Sequence, residues 1–138
     1  AASDVYKRQI ICFESIYGEY VTEYTRKGSN LFAIITNDGW WDVSEGHKQH
    51  LSYAKLRAIE NRRNIVRSAN TGISAVINYK GEIIKSIGYG EEGFINTEVS
   101  LLNKTTFYVK YGDFIFRLSL FFLIIITLHF FATTLRIK

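Results

Sequence analysis

From Ile10 onward, short apolar runs alternate with amphipathic stretches, a pattern that predicts an α/β or layered α+β domain. Ile10 to Phe13 reads as the end of a buried strand. Ile16 to Arg26 has helical spacing, with Ile16, Tyr20, Val21 and Tyr24 on one face, and Gly28 is its stop signal. Leu31 to Thr36 predicts a second buried strand, followed by a polar and aromatic loop from Asn37 to Gly46. Lys48 to Asn61 is the strongest helix, carrying Leu51, Ala54, Leu56, Ala58 and Ile59 toward a core. Strands are expected at Asn64 to Ser68, Ile73 to Asn78 and Glu82 to Ile87. Tyr79-Lys80-Gly81 reads as a hairpin turn between the last two, and Phe94 to Val99 as one more strand.

The pattern then changes. Leu118 to Leu135 runs for 18 residues without Asp, Glu, Lys or Arg. As a helix this stretch is about 27 Å long, close to the hydrocarbon thickness of a bilayer. A domain of this size has too little surface to cover a helix that is apolar all round, so the segment is expected to span a membrane. Basic residues flank both ends, Lys110 and Arg117 before it and Arg136 and Lys138 after it, so charge alone leaves its orientation open. His129 inside it reads as a tolerated polar group.

Composition sharpens this picture. The chain has 138 residues, 47% of them hydrophobic and 22% charged, which excludes a disordered or collagen-like polymer. One cysteine excludes a disulfide framework within the chain. The net charge of +4 is scattered among acids, with no basic block of the kind that binds nucleic acid. Met and Pro are both absent, where average usage predicts about seven prolines, and a piece of a longer protein is expected. Asp4 to Gln9 resembles the translation of a transposon-end sequencing adapter, so residues 1–9 are read as an artefact.

Cys12 falls at a strand end just before a helical stretch, where the positive end of a helix dipole favours a thiolate. From position alone a buried structural cysteine is the simpler alternative. Glu14, two residues on, reads equally as a carboxylate of the site or as one favoured at a helix start. Asn37 and Asp38 stand at the end of a strand, where α/β folds place sites, and equally suit turn formation. Asp42, Glu45, His47 and His50 contain an H-x-x-H pair, but nothing completes a metal site.

The blocks IICFES, ITNDGWW, QHLSYAKLRAIENRRNIVRSANTGISAVI and KTTFYVKYGD, in this order and followed by an apolar tail, resemble the C-terminal half of the apolipoprotein N-acyltransferase family. That family is the membrane-embedded branch of the nitrilase, or carbon–nitrogen hydrolase, superfamily. The resemblance implies the C-terminal part of a nitrilase-like αββα sandwich over residues 10–113, then one transmembrane helix with a short basic tail over 114–138. It implies an acyltransferase with a Glu-Lys-Cys triad, Cys12 being the nucleophile. The thiolate would take an acyl chain from a phospholipid as a thioester and pass it to the N-terminal diacylglyceryl-cysteine of an apolipoprotein. The resemblance further assigns the backbone N–H of Phe13 to an oxyanion hole, Glu14 to an accessory carboxylate and Trp40 to the lining of the acyl site. Asn37, Asp38, His50, Glu60 and Asn70 would support the loop and scaffold, with Arg57 and Arg67 among their ion-pair partners. No metal and no cofactor are implied, and Tyr108, Lys110 and Tyr111 fit an interfacial belt.

Two positions depart from the family pattern. Phe13 replaces the commoner Tyr, and Asp42 stands where many relatives carry Gly. The triad's Glu and Lys lie upstream of the cysteine in that family, so this chain by itself is expected to be inactive. The family's location is the bacterial inner membrane, with several spans and a periplasmic catalytic domain. A membrane-tethered nitrilase or amidase, and a non-catalytic membrane-anchored binding domain, are the competing readings.

Overall fold

The structure, a computed structural model, describes residues 6–136. Five strands form one sheet in the order β1-β2-β3-β4-β5: β1 Lys7–Ile11, β2 Leu31–Thr36, β3 Asn64–Ala69, β4 Ser74–Ile77 and β5 Ile83–Ile87. The first three run parallel and the last two close the sheet antiparallel. Parallel neighbours require crossovers, and helices α1 (Gly18–Arg26) and α2 (Gly46–Asn61) supply them. This is the α/β architecture that the resemblance implies, present as one sheet with its helices. Lys7 to Gln9 occupy β1 beside Leu31 to Ala33, while residues 1–5 and the tail residue Lys138 lie outside the described residues.

Strand periodicity explains the core. Ile10, Phe32, Ile34 and Ile65 point to one face and meet Val21 of α1 and Leu51, Ala54 and Ala58 of α2. All eight are buried. The alternate positions Ile11 and Ile35 remain 61% and 49% exposed, so β1 and β2 are covered on one face only among the described residues. The reading of these two runs as buried strands thus holds for one face of each.

Two boundaries also differ from expectation. β1 ends at Ile11, and Cys12–Ile16 forms a 3-10 turn that delays α1 until Gly18. Phe94 to Val99 is not a strand. It follows the open sheet face and is tied by Lys85 Nζ donating to the Asn96 carbonyl at 2.8 Å, with no ladder of its own. The hairpin at Tyr79 to Gly81 forms as expected, with Gly81 at φ 82° closing it.

Beyond the sheet, α3 (Phe107–Tyr111) is capped by the Thr106 hydroxyl, which accepts from the Val109 N–H at 3.0 Å. It packs on α1 and α2, where Arg26 Nε donates to the Val109 carbonyl. Helix α4 (Phe114–Arg136) carries an apolar stretch, Phe114–Leu135, with mean hydropathy 2.3 and an 18-residue window that is 0% buried. It is long and apolar enough to cross a membrane, and no part of the described domain covers it. An ion pair between Arg117 and Glu19 fixes its first turns near the start of α1.

Candidate active site

Cys12 is the first residue after β1, and its φ of 47° turns the chain sharply out of the sheet. A non-glycine residue in the left-handed region costs about 1–2 kcal/mol, so the surrounding contacts must hold it there. They come from three neighbours. The Ser15 hydroxyl donates to the Cys12 carbonyl at 2.8 Å, and His50 Nε2 lies 3.2 Å from the same oxygen. Arg57 of α2 donates Nη1 to the carbonyls of Ser15 and Ile16, at 3.2 and 2.7 Å, which a short helical turn otherwise leaves unpaired. Glu60 in turn holds Arg57, with Oε1 2.8 Å from Nη2. Burial is the largest influence on the Glu60 carboxyl and raises it above its ordinary value, with Arg57 opposing.

Beneath the turn, Asp38 is fully buried at the end of β2 and gathers three partners. Arg67 of β3 reaches its Oδ2 at 2.6 Å, while His50 Nδ1 lies 2.9 Å and the Thr36 hydroxyl 3.0 Å from its Oδ1. Burial pushes the carboxyl upward, but the bonds from His50, Arg67 and Thr36 and the Arg67 charge outweigh it and bring Asp38 to about 2. The Thr36 hydroxyl also lies 3.3 Å from Cys12 Sγ, so one buried hydroxyl joins the anion to the thiol.

The expected residues do not all meet. Asp38, His50 and Arg67 converge beneath Cys12, while Arg57 and Glu60 hold the far end of its turn at Ser15 and Ile16. Glu14 folds back along its own turn, accepting from the Ile11 N–H at 2.8 Å and from the Tyr20 hydroxyl at 3.3 Å. Asn37 shapes its loop by accepting from the Gly39 N–H at 3.1 Å, and Asn70 gives its backbone N–H to the Thr36 carbonyl while its side chain is exposed. Trp40 is 82% exposed. Trp41 packs instead, its ring 5.5 Å from Phe13 and 5.1 Å from His50. His47 turns to Tyr89, with ring centroids 4.6 Å apart, and so has different partners from His50.

Thr36 and Ser15 were not singled out from sequence. Thr36 carries a readable signal: in the alternation of β2 it shares the buried face of Phe32 and Ile34, making it a buried polar group at the site end of a strand.

The geometry is that of a cysteine presented on a strained turn above a buried ionic cluster, and residues 9–105 match the family model described as carbon-nitrogen hydrolase. The chain belongs to the carbon–nitrogen hydrolase family. Curated relatives are similar across the same region. The apolipoprotein N-acyltransferase of Geobacter metallireducens is 42% identical over 116 residues, covering 82% of this chain and 22% of the relative. That of Bradyrhizobium diazoefficiens is 43% identical over 105 residues, covering 75% and 19%. This carbon–nitrogen hydrolase chain thus spans about a fifth of the length of those relatives.

Solved structures agree on the fold. A carbon-nitrogen hydrolase from Helicobacter pylori G27 superposes with TM-score 0.55 at 15% identity, over 62% of this chain and 37% of that one. A point mutant of the amidase from Nesterenkonia sp. AN1 gives TM-score 0.53 at 16% identity, over 82% and 44%.

Proposed function

We propose that the protein carrying these residues is an apolipoprotein N-acyltransferase of a bacterial inner membrane, with Cys12 as its nucleophile. The observation that carries this reading is Cys12 itself, held at positive φ at the end of β1 with its thiol beside the buried Thr36 hydroxyl. The resemblance of the curated relatives and the exposed apolar helix α4 supply the substrate class.

The reaction divides into two transfers. The Cys12 thiol gives up its proton and attacks the ester carbonyl of a phospholipid as the thiolate, the C–O bond breaks, and a lysophospholipid leaves carrying that proton. The α-amino group of a diacylglyceryl-modified apolipoprotein cysteine then attacks the thioester, forming an amide and returning the thiol. The backbone N–H of Phe13, at the start of the 3-10 turn, belongs to the donors that such a turn leaves for an oxyanion. Glu14 serves as an accessory carboxylate on the same turn, and the exposed Trp40 meets the acyl chain. In this reading the domain lies on the periplasmic side of a multi-pass protein, and residues 1–9 derive from an adapter.

The test is a two-step assay of the intact protein in detergent with phosphatidylethanolamine. The expected product is an acyl adduct on the Cys12 peptide, discharged by a synthetic diacylglyceryl-cysteine peptide and absent in Cys12→Ser. Discharge by water alone would instead establish an amidase or esterase. An unchanged cellular phenotype in Cys12→Ser would establish a binding domain. The 138-residue chain assayed alone is expected to form no adduct, because the family's Glu and Lys are supplied upstream of the cysteine.

A further inference from the structure

Arg62 ends α2 in the left-handed region, at φ 51° and ψ 47°. Glycine adopts that conformation without steric cost, and the chain carries a guanidinium there instead. Its Cζ stands 6.0 Å from the centroid of the Tyr79 ring, and Lys80 Nζ lies 5.9 Å from the same centroid. Arg62, Tyr79 and Lys104 line a cleft of about 580 Å³ less a little, 570 Å³, whose apolar lining includes Leu102 and Phe107.

Buried side chains fix the walls of this cleft. Asn64, 6% exposed, accepts from the Tyr79 N–H at 2.8 Å and donates to the Ser100 carbonyl at 2.7 Å. Arg63, 2% exposed, donates to the Lys104 carbonyl at 2.6 Å. The backbone carrying the cations is thereby tied to the start of β3. No ion pair engages Arg62, Lys80 or Lys104 among the described residues. Glu82, the acid of the same hairpin, accepts instead from Asn78 Nδ2 at 2.6 Å. A favourable position at the C-terminal end of α2 accounts for Arg62, but not for two lysines on other segments.

The cleft also adjoins the helix that is long and apolar enough to cross a membrane. The Phe107 ring lies 4.5 Å from that of Tyr111 and 5.1 Å from that of Phe114, the first residue of α4. Because α3 packs on α1 and α2, α4 leaves the domain from its helical layer. Cys12 follows the end of β1 and Arg62 precedes the start of β3, so the parallel register puts them at opposite ends of the sheet. They are about 20 Å apart along the strands, which separates the cleft from the candidate active site.

We propose that this cleft binds the headgroup of an anionic bilayer lipid, its phosphate held by Arg62, Lys80 and Lys104 and its glyceryl end resting on Leu102 and Phe107. Three cations without an acid suit a headgroup of net negative charge, and the rings from Phe107 to Phe114 lead from it toward the bilayer. The contact holds the helical layer of the domain against the membrane surface. The inference rests on α4 crossing a membrane and not on the chemistry of Cys12.

The intact protein in detergent is titrated with phosphatidylglycerol or phosphatidylcholine, and bound lipid is counted by native mass spectrometry. Phosphatidylglycerol should bind about tenfold more tightly, and each cleft charge removed should cost about fivefold. Arg62→Gln/Lys104→Gln should therefore abolish the preference. Lys27→Gln/Lys85→Gln removes the same charge elsewhere and should keep it. A parent without preference, or equal losses in the two double variants, overturns the proposal. Arg62→Gly guards against misfolding of the glutamine variant, since glycine suits this backbone, and it too should lose about fivefold. Glycerol 3-phosphate carries the charge without the acyl chains. Displacement of phosphatidylglycerol by it at millimolar concentration would mark a soluble phosphate ester as the ligand and sink the lipid assignment. An acyl adduct on Cys12 without lipid preference defeats this proposal alone, and a preference without an adduct defeats only the acyl-transfer reading.

Discussion

Asp38 and Arg67 meet at 2.6 Å where neither side chain reaches solvent, joining the loop after β2 to the middle of β3 under the turn that presents Cys12. Removing one member of such a pair leaves a buried charge without its counter-ion, the costliest way to break an ion pair. Arg67→Met should therefore lower unfolding stability by about 3–5 kcal/mol, measured by urea titration in detergent. Equal midpoints for the variant and the parent would show that the cluster does not hold the fold.

The same carboxylate predicts an acid limit. Asp38 is brought from 3.8 to about 2 in the folded state, so the folded chain binds fewer protons than the unfolded one between those values. Stability from this group is fully present above about pH 4 and is lost as pH falls through about 2. The loss is on the order of 2 kcal/mol, and Asp38→Asn should flatten that part of the stability profile. A profile of unchanged slope in Asp38→Asn would assign the acid sensitivity to other carboxylates.

Sequence periodicity located α1, α2 and β2 to β5, because an amphipathic face repeats along a helix and a strand alternates. The 3-10 turn at Cys12–Ile16 was not legible, since a single turn is shorter than any repeat. The loop status of 94–99 was hidden for a different reason: Phe94, Ile95 and Val99 have strand composition, but no strand among the described residues forms a backbone ladder with them. At the site, the resemblance made Asp38, His50 and Arg67 readable as loop and scaffold residues. Their convergence was not readable, because it depends on the parallel register placing Ile34 beside Arg67, with Asp38 just beyond the strand end. Thr36 was passed over as the tail of an apolar strand, although its place on the buried face marks it as a polar group needing partners.

Arg57 is the link between α2 and the turn that presents the thiol. Its Nη1 serves two carbonyls while Glu60 holds the other edge of the guanidinium, a fork that a lysine cannot reproduce. Arg57→Lys should cost about 1–3 kcal/mol in stability. It should also broaden the temperature dependence of Cys12 alkylation as the turn loosens. A variant as stable as the parent would show that the Ser15 and Ile16 carbonyls find water instead.

Helix α4 predicts a membrane phenotype separable from the fold. Ending the chain at Asp113 removes the exposed apolar stretch but none of the core residues around Ile10 and Phe32. Expressed by itself, the 138-residue chain shortened in this way should move from the carbonate-resistant membrane fraction to the soluble fraction, with far-UV dichroism reduced only by the lost helix. Retention in membranes would assign the anchor to the aromatic surface around Phe13 and Trp40.

The backbone of Cys12 gives the sharpest test of the turn. At φ 47°, glycine removes the steric cost of a side chain, while a β-branched residue raises it. Cys12→Gly loses the contact with Thr36 and gains unfolded-chain entropy, which offsets the relief, so its stability should lie within about 1 kcal/mol of the parent. Cys12→Val should lose about 2 kcal/mol or more, since it brings a second branch into the left-handed region. Both variants lack the thiol at this position and should show no iodoacetamide adduct on the peptide that carries it. Thermal unfolding of the pair reads the difference directly, and equal midpoints for Gly and Val would mean that the left-handed turn relaxes when the thiol is gone.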